Sequence, residues 1–120
     1  MFTIKSKEEY ENCSVRLAID ILAKSWNVWI LLELESGVLR PSELHQIISI
    51  APKRVLTKQI GELEKLGLLS KKVYPEVPLR VEYELTDRGR EMLYVVKQLQ
   101  LWGDKHKKDI IAKMSIKDTK

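Results

Sequence analysis

Apolar side chains recur at spacings of three and four along most of this chain and alternate in one stretch only. Val15, Leu17, Ala18, Ile19, Ile21 and Leu22 predict a first helix behind Ser14, a residue type suited to cap it. Residues 26–34 are apolar on nearly every side, which predicts a central helix buried all round, ended by Ser36-Gly37. Arg40-Pro41-Ser42-Glu43 opens a short helix carrying Leu44, Ile47 and Ile48. Ile50-Ala51-Pro52 breaks it, because proline has no N–H to donate and pushes the residue before it out of the α region. Pro52 also suits the first turn of the next helix, whose buried stripe is Val55, Leu56, Ile60, Leu63 and Leu66. Gly67 stands where a helix end favours positive φ.

The period then changes to two. Val81, Tyr83 and Leu85 alternate with Glu82 and Glu84, so residues 68–74 and 79–85 read as paired strands with one wet face. Pro75-Glu76-Val77-Pro78 forms the tip. Thr86-Asp87 caps a long last helix, with Met92, Val95, Val96, Leu99 and Trp102 in one stripe, and Ile110, Ile111 and Met114 continuing past Gly103. The expected fold is mainly α with a small β-hairpin: a winged helix-turn-helix with a long terminal helix for dimerisation. Residues 13–116 make its single domain, residues 1–12 a polar mobile arm and residues 117–120 a frayed tail.

Composition narrows the class. A chain of 120 residues with 44% hydrophobic and 32% charged side chains is ordinary for one soluble domain. The net charge of +4 is uneven: residues 40–80 hold eight basic side chains against four acidic ones. Such a segment attracts a polyanion, in a salt-dependent way. A single cysteine excludes an internal disulfide and fits a reducing compartment. The N-terminus has no apolar leader core, and the most apolar run is too short to span a bilayer, so a cytoplasmic, non-membrane protein is expected.

No catalytic set presents itself. His45, His106 and Cys13 are scattered, the glycines form no phosphate loop, and neither metal nor cofactor is expected. The interesting group is Lys53, Arg54, Thr57 and Lys58, which share one side of a helix. A solvated charged face is the bland explanation; the turn and the wing favour a helix that enters the major groove of double-stranded DNA. Arg54 suits a guanine edge, and Lys53 and Lys58 suit phosphates. Arg80, beyond the wing tip, suits a minor groove or phosphate, or else pairs with Glu76 or Glu82. Arg40 and Ser42 suit a phosphate. The stripe Met92, Val95, Val96, Leu99 and Trp102, with Val15 and Ile19, either joins a second copy as a homodimer or packs within one chain. Cys13 is either a small buried residue or a reactive thiol near a helix start. The rival from another class is a protein-interaction module that uses the same basic face.

The chain resembles the HxlR-type winged helix-turn-helix regulators of bacteria and archaea, relatives of the MarR group. The likeness runs over residues 13–102 and is most specific from Gly67-Leu68-Leu69 through Tyr74-Pro75-Glu76-Val77-Pro78-Leu79-Arg80-Val81-Glu82-Tyr83-Glu84-Leu85-Thr86-Asp87-Arg88-Gly89. Pro41-Ser42-Glu43-Leu44, Leu56-Thr57, Glu62-Leu63-Glu64 and Trp102-Gly103 add to it. The resemblance implies a cytoplasmic DNA-binding dimer built from the first and last helices. It also implies that the position of Cys13 senses electrophiles or oxidants in several members. Three residues depart from the pattern: Ser25 where lysine is common, Pro52 where serine is common, and Gly61 where a basic residue is common. A mid-helix glycine costs about 1 kcal/mol relative to alanine. The residues name neither operator nor effector.

Overall fold

The helix on which the others rest is α3 (Asn27–Glu33), with Ile30 and Leu31 fully buried. It contacts α2 (Ser14–Leu22), α5 (Lys53–Lys65) and α6 (Asp87–Lys113) in this computed structural model, which describes residues 7–114. It is not buried all round: Trp29 is 52% exposed. A helix of two turns touched by three neighbours still has an uncovered side, which apolar residues alone do not reveal. A 3-10 turn, Leu34–Ser36, ends it.

Before this lies α1 (Lys7–Asn12), where the polar pattern predicts a mobile arm. The Tyr10 hydroxyl donates to the Asp20 carboxylate at 2.7 Å and so holds α1 against α2. That bond raises the Tyr10 pKa above its ordinary value, because losing the proton would set two negative charges side by side. The cap of α2 also differs from expectation. Cys13, in extended backbone at φ −145° and ψ 95°, takes the cap position, and Ser14 is the first helical residue. The rest of the arm, and the tail at residues 117–120, lie outside the described residues.

The helix-turn-helix follows as α4 (Pro41–Ile47) and α5, with Leu44, Ile48, Ala51, Leu56, Ile60 and Leu63 buried between them and α3. Pro52 stands at the cap of α5. Two members of the expected stripe lie nearer solvent: Val55 is half-buried and Leu66 exposed. Gln59 is buried in their place, and its side-chain oxygen accepts the Trp26 N–H at 2.9 Å. Asn27 Nδ2 donates to the Ile21 carbonyl, also at 2.9 Å. These two amides satisfy backbone groups that a chain turning between two short helices would otherwise leave unpaired.

Gly67, at φ +85°, turns the chain from α5 into β1 (Leu69–Tyr74). That strand pairs antiparallel with β2 (Arg80–Leu85), Leu69 facing Leu85 and Tyr74 facing Arg80. The alternation holds in the second half of β2, where Tyr83 and Leu85 are buried and Glu84 is exposed; Val81 and Glu82 are both half-buried. Leu39 adds a short bridge on the other side, exchanging backbone bonds of 2.8 and 3.0 Å with Tyr83. Thr86 then joins three elements. Its hydroxyl donates to the Gly67 carbonyl at 2.6 Å and accepts from Gly89 N at 3.0 Å, while its N–H donates to Leu68 O. Gly89 is packed so closely that a Cβ there would run into the Leu68 carbonyl oxygen. Leu93 and Val96 carry α6 into the core; its later part extends beyond the body of the molecule, which measures 54 × 43 × 24 Å.

Candidate nucleic-acid interface

The first half of α5 presents Lys53, Arg54, Thr57 and Lys58 to solvent. Burial of Leu56, Ile60 and Leu63 on the opposite side settles this orientation, because 3.6 residues per turn leaves these four no place inside. Lys53, Arg54 and Lys58 enter no side-chain hydrogen bond or ion pair among the described residues. Three cations on one face without a carboxylate between them form a donor-rich surface left unpaired among the described residues.

Thr57 has a partner that the sequence reading missed. His45, on α4, brings Nε2 within 3.1 Å of the Thr57 hydroxyl. Burial, and then the charge of Lys53, holds the His45 pKa below the ordinary histidine value. No signal in the sequence marks this contact, since twelve residues separate the pair and only the angle between α4 and α5 brings them together.

An open cleft of about 390 Å³ separates the start of α4 from the wing. Arg40 and Ser42 line one wall, and residues 76–81 line the other. The Leu39–Tyr83 bridge sets this neighbourhood, because it pins the residue before Arg40 to β2. The Arg40 N–H donates to Glu43 Oε1 at 2.8 Å, which ties the first turn of α4. Thus Arg40, Ser42 and Arg80, forty residues apart in the chain, share one groove.

Arg80 is engaged within the wing. Its guanidinium lies 3.3 Å from the Glu76 carboxylate and 3.7 Å from that of Glu82, and stacks 3.7 Å from the centre of the Tyr74 ring. The ion-pair alternative for this residue therefore holds in the free chain. Only the stack on Tyr74 crosses the strands, as Tyr74 is the register partner of Arg80; Glu82 lies on the same strand and Glu76 in the tip.

The apolar residues expected to join a second copy divide. Val15, Ile19, Val95, Leu99 and Trp102 are exposed, the last two at 57% and 60%. Met92 is half-buried against the core, and Val96 is 3% exposed. Val96 therefore belongs to the core of its own chain and not to a contact surface: its step along α6 turns it toward α3. Leu17, Tyr94 and Leu101 are exposed on the same two helices and extend the apolar surface beyond the expected stripe. Cys13 is a free, exposed thiol, not the small buried residue of the alternative reading. Among the described residues no group of His, Cys, Asp and Glu is placed to hold a metal ion. No helix among them is long and apolar enough to cross a membrane.

Two helices about a tight turn, a hairpin wing behind the second and a bare cationic face between them define a winged helix-turn-helix. Residues 21–110 match the model of the HxlR-like helix-turn-helix family, and the chain belongs to that family. It is 41% identical over 91 residues to a helix-turn-helix-type transcriptional regulator of Methanothermobacter thermautotrophicus, covering 76% of this chain and 70% of that one. It is 35% identical over 102 residues to the helix-turn-helix-type transcriptional regulator YdeP of Bacillus subtilis, covering 85% and 80%. Among solved structures, the redox regulator HypR in its reduced form superposes with a TM-score of 0.78 at 30% identity, over 85% of this chain and all of that one. Diamide-treated YodB from Bacillus subtilis gives 0.68 at 30% identity, over 77% and 91%. The chain is accordingly a DNA-binding transcriptional regulator of the helix-turn-helix type.

Proposed function

We propose that this regulator binds a specific duplex operator as a homodimer, with α5 of each copy in the major groove. The observation that carries this is the bare cationic face of Lys53, Arg54 and Lys58. Arg54 reads a guanine edge, since a guanidinium bonds O6 and N7 together. Thr57 contacts a neighbouring base, while Lys53 and Lys58 hold phosphates. Arg40, Ser42 and Arg80 flank the same groove and meet the backbone beside the wing. The second copy joins through the exposed apolar residues of α2 and α6: Val15, Ile19, Val95, Leu99 and Trp102, with Met92 at the margin. Two recognition helices then face successive major grooves, about one helical turn of DNA apart.

Light scattering, combined with anisotropy titrations against a random-sequence duplex pool at several salt concentrations, tests this. A dimer mass, steep salt dependence and enrichment of one sequence family are expected. A monomer, or equal affinity for every duplex, removes the reading and leaves the protein-interaction module.

A response to oxidants through Cys13 is a second part of the proposal. It is supported by the exposure of that thiol between α1 and α2, and by likeness to chains described as a redox regulator and as diamide-treated. Diamide takes two hydrogen atoms from two thiols, so one cysteine per chain yields a disulfide between two molecules. An unchanged thiol count and DNA affinity after treatment would make Cys13 structural.

A further inference from the structure

We infer that His45 is a positioning residue for sequence recognition, acting through the hydroxyl of Thr57. This rests on the reading that Thr57 faces DNA. His45 lies on α4, half-buried, and its Nε2 is 3.1 Å from Thr57 Oγ1 on the exposed side of α5. Neither side chain has another hydrogen-bond partner among the described residues.

A free threonine hydroxyl rotates and serves as donor or acceptor with little preference. Tied to imidazole, it loses that freedom. When Nε2 carries the proton, the ring donates to Oγ1, and the threonine hydrogen points away, toward an acceptor such as guanine O6 or thymine O4. When Nε2 is bare, the hydroxyl donates back to the ring and leaves lone pairs outward for a donor such as cytosine N4 or adenine N6. His45 thus selects which base edge Thr57 accepts without itself reaching the groove. A plain strap between two helices would require only the contact; the position of Thr57, between Lys53 and Lys58 on the outward face, makes it a readout device as well.

The test uses the duplex that the full-length wild-type protein enriches from a random pool, and a scrambled duplex of the same base composition. The quantity read is the ratio of the two dissociation constants. His45→Ala is expected to lower that ratio about three- to tenfold, the size of one neutral hydrogen bond. His45→Gln, which restores a donor and an acceptor at similar reach, is expected to recover most of it. Thr57→Val is expected to lower it by a similar factor, and the double variant to be no worse than Thr57→Val alone. His45→Phe, which keeps the ring and removes the nitrogens, replaces the alanine variant should that fail to fold. A ratio within about twofold of wild type in His45→Ala overturns the inference, as do losses that multiply in the double variant. Equal loss in His45→Gln also overturns it, because ring shape would then be what matters. If the wild type enriches no sequence, the DNA-recognition reading fails first and takes the inference with it.

Discussion

The face of α5 and the wing carry the same kind of residue, yet they treat charge in opposite ways. On α5 Lys53, Arg54 and Lys58 have no hydrogen-bond or ion-pair partner among the described residues. On the wing Arg80 is held by Glu76, Glu82 and the face of Tyr74. At its base, the Thr86 hydroxyl links the Gly67 carbonyl to the Gly89 N–H, and Gly89 packs against the Leu68 carbonyl. A cation kept free of carboxylates is poised for an external anion; a cation already neutralised must exchange one set of contacts for another. Similar arginines on two surfaces therefore have different work, and only their surroundings distinguish them.

The largest expected effect probes the closed side. Gly89→Ala should lower stability by about 3 kcal/mol, since the added methyl must push Leu68 away and break the joint around Thr86. Chemical denaturation measures it; an unchanged midpoint would mean the close approach is relaxed in solution. On the open side, Arg54→Ala should cost about 1–3 kcal/mol of discrimination between the selected and scrambled duplexes. Its melting midpoint should stay put, because the side chain supports nothing in the fold. Equal weakening on both duplexes would demote Arg54 to a phosphate contact. Smaller still is the difference between two cations in salt titrations. Lys58→Ala should flatten the slope of binding against salt by about one counterion. Arg80→Ala should flatten it less, since Glu76 and Glu82 already offset that charge. Matching slopes would erase the contrast between the two surfaces.

The smallest effect concerns pH. The His45 pKa is lowered in the folded chain, by burial first and by Lys53 second. The unfolded chain therefore takes up this proton at a higher pH than the folded one. As pH falls through the ordinary histidine range near about 6.5, stability should drop slightly, and it should be regained above that range. Melting wild type and His45→Gln in parallel isolates this contribution; identical pH profiles would count against a neutral His45 in the folded state.

Much of the architecture was legible in advance because it depends on local chemistry. Pro52 stands at the start of α5, although α4 already ends at Ile47, Gly67 relieves a positive φ, and Thr86 caps α6 with its own hydroxyl. Other parts were not legible. The stripe of α6 looked continuous, yet Val96 is spent in the core while Leu99 and Trp102 stay outside. The polar run 7–12 became a helix because Tyr10 found Asp20, a partner outside its own segment. Trp29 stayed exposed because, among the described residues, no neighbour covers that side of α3.

By itself the sequence determined the order of helices and hairpin, the outward placement of the cations on α5, and membership of the family, since periodicity, turn residues and the run around residues 74–89 are all local. Tertiary structure alone decided which charges remain free, that Arg40, Ser42 and Arg80 share a groove, and that His45 meets Thr57. These depend on angles between elements, and such angles come from the packing of many side chains at once. No single stretch of the chain encodes them.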